Sequence, residues 1–253
     1  GPFVGEFEKQ LSNRVKSQYV VATNSGTSAL HLMLISVGVQ PGDLVIIPSY
    51  SFIATANAVT HCNAVPHFVD SEERTLGIDG FKLREYLLGN TSQASGICIN
   101  KNTGRIISAL VPMHTFGHPS DLENLLSVAK DFNIALVEDA AESLGSLYNG
   151  RHTGTFGLLG TLSFNGNKTV TTGGGGAILT NSFDLARHAK HLTTTAKVPH
   201  AWEFRHDEIG YNYRMSNIVA GIGRGQMEVL DQRVSQRRAN NKRYRDFFAD
   251  VIG

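Results

Sequence analysis

A regular alternation of short apolar runs with helix-patterned segments is the feature that most constrains how this chain folds. The run at residues 43–48, DLVIIP, is too short and too continuously apolar for a half-exposed strand. Such a run is typical of a strand buried on both faces of a parallel sheet. The alternation therefore predicts an α/β fold, with a mainly parallel seven-stranded sheet covered by helices on both faces. The predicted strands are residues 19–24, 43–48, 64–70, 106–113, 135–140, 161–165 and 176–180.

The composition bounds the class of protein. Of the 253 residues, 41% are hydrophobic and 18% are charged, and the formal net charge is +1. These values fit a soluble globular protein and give no electrostatic reason to expect nucleic acid or a membrane surface as a partner. Cys62 and Cys98 stand far apart and in no metal or redox spacing, so we expect reduced thiols and a cytoplasmic protein. No apolar run is long enough to span a bilayer.

An unusual lysine follows one of the predicted strands, at the end where parallel α/β sheets bind ligands. Lys168 stands three residues beyond the run at 161–165, and glycine fills the four positions 173–176. Glycine permits close backbone approach and unusual dihedral angles. Two interpretations fit this pattern. One is a glycine-rich turn with an exposed lysine, and the other is a pocket lysine that serves as the amine nucleophile of Schiff-base chemistry.

A carboxylate, Asp139, stands at the corresponding end of the predicted strand at residues 135–140. A carboxylate there can face the protonated ring nitrogen of pyridoxal phosphate, the contact that makes this cofactor an electron sink. An ion pair at about 4 Å in an effective dielectric of roughly 20 is worth about 4 kcal/mol before desolvation. That is enough to keep the nitrogen protonated at neutral pH. The alternative role for Asp139 is a helix N-cap.

Small residues occupy the turn between the first predicted strand and the helix that follows it, at residues 24–29, NSGTSA. Free backbone N–H groups and the helix dipole favour an anion at such a turn. A phosphate fits beside Gly26 and Thr27, although a plain helix cap explains the same residues. Together the three segments supply a phosphate cradle, a nitrogen partner and an amine.

Four segments in this order, NSGTSALHL, VEDAAESLG, SFNGNKTVTTGGGGAI and GYNYRMSN, resemble the DegT/DnrJ/EryC1/StrS aminotransferases. The resemblance extends over nearly the whole chain. It implies the large domain of a fold type I transferase, with pyridoxal 5'-phosphate as cofactor and a homodimer that shares its active sites. It also implies amino transfer from glutamate to a nucleotide-linked keto-sugar, 4-keto rather than 3-keto. The SFNGNK and DAAES segments resemble a subgroup that makes 4-amino sugars on routes to legionaminic-type sialic acids.

The resemblance assigns roles at matching positions of the chain. It implies that Lys168 forms the Schiff base with the cofactor and carries the proton between the reacting carbons. It implies that Asp139 faces the pyridine nitrogen. The phosphate site it implies consists of the backbone of Gly26 and Thr27 with the hydroxyl of Ser163.

Four further positions carry more specific expectations. Phe52 falls where the family stacks an aromatic ring on the cofactor, with ordinary core packing as the alternative. Asn212 matches a residue that reaches the neighbouring subunit's cofactor phosphate, and Arg214 matches a substrate contact. Glu142 stands where many relatives have Gln or His beside the cofactor's 3' oxygen. A carboxylate there repels a phenolate, so Glu142 is either protonated or turned away.

The domain division follows from the same resemblance. We expect a cofactor-binding large domain over residues 1–215 and a long charged helix over residues 216–253. The helix leads toward a smaller C-terminal domain that this chain lacks, and both chain ends are abrupt. Two explanations fit: the sequence is part of a longer chain, or the protein has lost part of its substrate site. Acidic residues interleave with the basic ones of the helix, which favours a solvated face over nucleic-acid binding.

Two other functions remain open at this point. Some relatives act as sugar dehydratases and carry histidine at the position of Lys168, so the lysine disfavours that activity. A non-catalytic fragment or sensor that keeps the fold is the second alternative. No metal is expected, because the pairs His114 and His118, and His188 and His191, lack a third ligand in the sequence around them.

Overall fold

A computed structural model describes residues 1–251 of the chain, which contain eleven strands and eight α-helices. The strands are β1 (Tyr19–Thr23), β2 (Leu44–Pro48), β3 (Val65–Val69), β4 (Thr91–Ala94), β5 (Ile97–Asn100), β6 (Ile107–Leu110), β7 (Ala135–Asp139), β8 (Leu147–Tyr148), β9 (Arg151–His152), β10 (Leu159–Ser163) and β11 (Gly176–Thr180). The helices are α1 (Pro2–Val15), α2 (Gly26–Ser36), α3 (Ile53–His61), α4 (Gly80–Asn90), α5 (Leu122–Asp131), α6 (Phe183–Thr193), α7 (Asn217–Glu228) and α8 (Leu230–Phe247).

Seven of the strands form one sheet, in the order β1-β11-β10-β7-β6-β2-β3. Only β11 runs antiparallel to its neighbours within this sheet, and the other pairings are parallel. Each of the predicted strands corresponds to one member of the sheet, with ends that differ by a few residues. The predicted mainly parallel seven-stranded sheet is therefore confirmed.

The sheet is covered on both faces, because successive side chains of each strand enter different hydrophobic clusters. Val21 of β1 packs in the cluster of α2, α3 and α6, whereas its neighbours Val20 and Ala22 pack in the cluster of α1 and α7. Strand β2 divides in the same way, with Ile46 turned toward α4 and α5 and Ile47 turned away from them. This division explains why the strand sequences are continuously apolar rather than alternating.

The chain from residue 216 differs from the single long helix that the sequence predicts. It forms α7 and α8, separated at Val229, whose φ of −104° and ψ of 7° interrupt the helix. Ala220 and Leu230 are buried in the same cluster as Phe7 of α1, a helix that the sequence analysis missed. The domain boundary at residues 215/216 stays a prediction. Within residues 1–251 no helix is both long and apolar enough to cross a membrane.

Candidate active site

A cavity of about 270 Å³ lies beyond the carboxyl ends of β7 and β10, the edge at which a parallel sheet binds ligands. It is bounded by the N-terminus of α2, the start of α3 and the loop that joins β10 to β11. Among its lining are seven of the residues singled out from the sequence: Gly26, Thr27, Phe52, Asp139, Glu142, Ser163 and Lys168. Residues as far apart in the sequence as Gly26 and Lys168 therefore meet at one site.

Lys168 projects into the cavity from the β10–β11 loop. Its side chain is only 14% exposed, and its Nζ lies 2.8 Å from Oε1 of Glu142. The loop is held by backbone hydrogen bonds from Phe164 to Gly175 and from Thr172 to Phe164. Lys168 is thus a pocket lysine, and the alternative of an exposed lysine on a glycine-rich turn does not describe it.

Asp139 is the last residue of β7, and its side chain is almost fully buried. Its Oδ2 accepts a hydrogen bond of 2.6 Å from the hydroxyl of Thr55, and its Oδ1 accepts one of 3.2 Å from the backbone N–H of Ala141. Burial raises the pKa of Asp139 above its usual value, against the opposing effect of these two hydrogen bonds and of the nearby His114 and Lys168 side chains. A carboxylate in this state is stabilised by a cation placed beside it.

The N-terminus of α2 packs directly on the sheet at the cavity wall. The side chain of Ser25 caps the helix by accepting a hydrogen bond from the N–H of Ser28. A Cβ added at Gly26 would lie 3.0 Å from the Cβ of Ser163, and one added at Gly176 would lie 2.5 Å from the carbonyl of Ser25. Glycine at both positions lets backbone N–H groups and the Ser163 hydroxyl face the same small space, which suits a phosphate.

Phe52 lies at the mouth of the cavity, where its side chain is 63% exposed. The ring centroid is 5.9 Å from Nζ of Lys168. Core packing, the alternative explanation for Phe52, is therefore wrong. An exposed aromatic ring at the mouth of a pocket can stack on a planar ligand.

Glu138, which the sequence analysis missed, also organises this edge of the sheet. Glu138, fully buried, accepts hydrogen bonds from the backbone N–H groups of Gly154, Phe156 and Gly157, and it pairs with Nε2 of His114 at 3.0 Å. Burial opposes its ionisation, yet the His114 side chain and these backbone donors hold the pKa of Glu138 below its usual value. Because Glu138 precedes Asp139 in β7, this network fixes the strand end that carries Asp139. No local sequence signal distinguishes Glu138 from an ordinary strand residue.

The same network determines the tautomer of His114. Its Nδ1 accepts a hydrogen bond from the N–H of Ser120, so Nε2 carries the hydrogen and donates a hydrogen bond to Glu138. His118 lies elsewhere, exposed on the surface.

The second histidine pair lies on α6. Nε2 of His188 lies 3.0 Å from Glu208, and Nε2 of His191 lies 2.6 Å from Asp207. These carboxylates come from a later loop that the sequence spacing does not reveal. The expectation that the protein binds no metal stays a prediction.

Asn212 and Arg214 lie apart from the Lys168 cavity. They line an open cleft of about 850 Å³ together with residues 193–195 and the segment around Lys197. Both side chains are exposed. The structure therefore does not bring them to this chain's own Lys168, and the sequence expectation places them at a second copy's site.

The parallel sheet, the pocket lysine, the buried aspartate and the glycine-lined helix N-terminus define the large domain of a fold type I pyridoxal-phosphate-dependent transferase. All of residues 1–253 match the DegT/DnrJ/EryC1/StrS aminotransferase family. The chain belongs to that family.

Two relatives and one solved structure illustrate the similarity. The chain is 40% identical over 253 residues to EpsN of Bacillus subtilis, whose name assigns it to the pyridoxal phosphate-dependent aminotransferases, and it covers 62% of that protein. It is 39% identical over 237 residues, 94% of the chain, to the GDP-perosamine synthase of Caulobacter vibrioides, of which it covers 59%. A crystal structure of a family member from Brucella abortus superposes with a TM-score of 0.90 at 29% identity, covering 99% of this chain and 65% of that one. The chain thus spans less than two thirds of the relatives that it matches.

Proposed function

We propose that this protein is a pyridoxal 5'-phosphate-dependent aminotransferase that aminates a keto-sugar linked to a nucleoside diphosphate. The observation that carries the proposal is the meeting of the Lys168 amine and the buried Asp139 carboxylate in one cavity. Family membership and the similarity to EpsN and to the GDP-perosamine synthase support it. The 4-keto position and glutamate as amino donor follow the resemblance of the sequence motifs. Free, buried Cys62 and Cys98 fit work in the cytoplasm.

The residues of the cavity divide the binding of the cofactor among them. Backbone N–H groups at Gly26 and Thr27, with the Ser163 hydroxyl, hold the phosphate at the positive end of α2. Asp139 pairs with the ring nitrogen, and Phe52 stacks on the ring. When bound, the cofactor supplies an electron sink that stabilises negative charge at the reacting carbon.

Lys168 performs the proton chemistry in this proposal. Its Nζ would hold the cofactor covalently, and the amine group of the donor would replace Nζ in that bond. The freed Nζ would then act as a general base toward the donor carbon and would return a proton to the sugar carbon in the second half of the reaction.

A second copy of the chain completes the site in the proposed homodimer. Asn212 and Arg214 line a cleft that is separate from their own Lys168 cavity. We infer that Asn212 reaches the cofactor phosphate of the partner and that Arg214 reaches its substrate.

Borohydride reduction of the purified, intact protein tests the proposal. We expect a yellow protein in which reduction fixes a phosphopyridoxyl group on Lys168, located by peptide mass spectrometry. Lys168→Arg keeps the positive charge beside Glu142 but forms no such adduct, so it is the matched control. A colourless protein without an adduct after added cofactor favours the non-catalytic sensor and rejects the enzyme.

Two further measurements define donor and acceptor. Glutamate should convert the absorbance to that of the amine form of the cofactor, and glutamine and aspartate serve as competing donors. A panel of nucleotide-linked 3-keto and 4-keto sugars, with mass detection of the product, identifies the aminated carbon. Loss of water without gain of nitrogen in the product indicates the dehydratase alternative.

A further inference from the structure

Two histidines of α6 meet two carboxylates from the far end of the loop at residues 195–209. His188 and His191 stand three positions apart, so their side chains lie on the same face of the helix. Asp207 and Glu208 reach that face from the loop. The third ligand that the sequence around the histidines lacks therefore comes from a segment 16 positions beyond His191.

Three of the donor atoms are close enough to share one ion. Nε2 of His191 lies 2.6 Å from Oδ1 of Asp207 and 3.8 Å from Oε1 of Glu208. The three atoms all lie within 4.8 Å of one another. Ligand bonds of about 2.0–2.2 Å in a tetrahedral arrangement place neighbouring donor atoms roughly 3.4 Å apart. The separations from Nε2 bracket that value, so rotations of these side chains suffice to admit an ion.

The second histidine holds Glu208 from the outer side. Oε2 of Glu208 lies 3.0 Å from Nε2 of His188, whereas Oε1 is too far from His191 for a hydrogen bond. Carboxylates that bind a metal are commonly hydrogen-bonded by an outer residue, which fixes their orientation. His188 thus turns one oxygen of Glu208 toward the position of the ion.

Charge and ligand type favour a divalent transition metal. Asp207 and Glu208 supply two negative charges, which balance a dication. A neutral imidazole suits Zn²⁺, whereas Mg²⁺ and Ca²⁺ prefer ligands that are all oxygen. The ion takes the place of the hydrogen that joins Nε2 of His191 to Asp207, and the ring keeps its other hydrogen on Nδ1.

We propose that His191, Asp207 and Glu208 bind Zn²⁺ or a similar transition-metal ion, with His188 as the residue that orients Glu208. Water completes the tetrahedral arrangement. These residues do not line the Lys168 cavity, so the site does not depend on the proposed function. The expectation that no metal binds relied on the sequence around each histidine pair, where Asp207 and Glu208 are not found.

The ion fastens the 195–209 loop to α6. The loop turns back on itself, with a backbone hydrogen bond of 2.9 Å from Val198 to Arg205. Trp202 and Phe204 project from it with 85% and 82% of their surface exposed. Side chains so exposed contribute little packing, so the attachment at the ends of the loop controls how readily it opens.

Calorimetry of the untagged, intact protein with zinc chloride tests the site. His191→Gln and the double variant Asp207→Asn with Glu208→Gln remove ligands at similar size, and His188→Gln removes only the outer partner. His118→Gln is the matched control, because His118 is also exposed and lies outside the cluster. Thermal unfolding without metal reports whether each variant folds. The visible absorbance of bound Co²⁺ reports tetrahedral coordination in the unmodified protein and needs no variant.

We expect one ion per chain. His191→Gln and the double carboxylate variant should weaken Zn²⁺ binding by at least about a hundredfold, and His188→Gln by about tenfold. His118→Gln should bind like the unmodified protein, and Mg²⁺ should not compete. Absent Zn²⁺ binding, an equal affinity in the ligand variants, or a Co²⁺ complex without tetrahedral absorbance overturns the site. An equal loss in His118→Gln also overturns it, since binding to surface histidines is then adventitious.

Trypsin measures the opening of the loop, which contains Lys197 and Arg205 as cleavage sites. Zn²⁺ at about ten times its Kd should slow cleavage at these sites up to about tenfold, because the ion binds the closed loop. Cleavage after Arg245, exposed on α8, is the internal reference and should not change. The protection should disappear in His191→Gln. Zn²⁺ binding without protection supports the ligands and rejects the fastening of the loop.

Discussion

The amine of Lys168 and the carboxylate of Glu142 lie 2.8 Å apart at the wall of the cavity, with side chains that are 14% and 31% exposed. The sequence left two alternatives for Glu142, a protonated carboxyl group beside the cofactor or a side chain turned away. The contact with Lys168 supplies a third relationship, in which the carboxylate balances the lysine's charge. In the proposed function, Glu142 must release Lys168 before the amine acts as a nucleophile.

This contact predicts how Glu142→Gln changes the reactivity of the lysine. Loss of the carboxylate removes the ion pair that holds the amine, so an amine-selective reagent should modify Lys168 of the cofactor-free protein up to about fivefold faster. Glu142→Asp retains the charge and serves as the control. Equal modification rates in the Glu142→Gln variant and the unmodified protein would show that the ion pair does not limit the reactivity of the Lys168 amine.

Asp139→Asn should separate the stability of the protein from its activity. Burial raises the pKa of Asp139, so ionisation destabilises the cofactor-free fold as the pH rises from the unfolded value of about 4 through the raised folded value. We expect the variant to have the larger free energy of unfolding at pH 8, with the difference shrinking toward pH 4. If Asp139 pairs with the ring nitrogen as proposed, turnover should fall by up to about a thousandfold, because the nitrogen loses its partner. Chemical denaturation at several pH values and an amination assay check both effects, and a destabilised variant at pH 8 would contradict the first.

Thr55 positions Asp139 through its buried hydroxyl, which donates at 2.6 Å. Thr55→Val keeps the shape but removes the donor, so we expect a loss of about 2 kcal/mol in the free energy of unfolding. Cofactor affinity should fall by about tenfold, since one carboxylate oxygen is then free to rotate from its position. Thr55→Ser retains the hydroxyl and should restore affinity. Restored stability without restored affinity would indicate a packing role alone.

Buried His31 of α2 predicts that the stability of the protein is sensitive to acid. The ring is almost fully buried against Tyr211 and Tyr213, at centroid distances of 4.9 and 6.0 Å. Burial, with the charge of His61 as a smaller cause, lowers the pKa of His31 to about 4. The folded state therefore favours the neutral ring, and stability is lost as the pH falls from about 6.5 toward 4, by up to about 3 kcal/mol.

His31→Leu should reduce that dependence, because leucine does not titrate. Urea denaturation at pH 7 and pH 4.5 measures it, and Tm values under the same buffers provide a second readout. An unchanged difference between the two pH values in the leucine variant would assign the acid sensitivity to other groups.

Much of the fold was predictable because its signals are local. Continuous apolar runs such as residues 43–48 indicated buried parallel strands, and the sheet contains each of the predicted strands. Helix α1 was missed although its sequence indicates it: the buried residues Val4, Phe7, Leu11 and Val15 recur at helical spacing. The interruption at Val229 had no such signal, since the residue is an ordinary one within a charged helical pattern.

The site was predictable to the extent that each residue follows a strand end. Lys168, Asp139 and Gly26 stand at such positions, and parallel strands bring their carboxyl ends to one edge. Thr55 and Glu138 were missed because their roles depend on partners 84 and 16 to 24 positions away. Hydrogen bonds over such separations are not encoded in any local pattern.

The sequence by itself determined the class of fold and the family, and it singled out Lys168, Asp139 and the turn at Gly26 as candidate site residues. Apolar periodicity and motif order are properties of the chain that do not depend on its three-dimensional path. Only the tertiary structure decided that Glu142 pairs with Lys168, that Asp139 is buried against Thr55, and that Asp207 and Glu208 lie beside the histidines of α6. These relationships arise from the approach of distant segments, and their electrostatic effects depend on burial and on distances of a few ångströms.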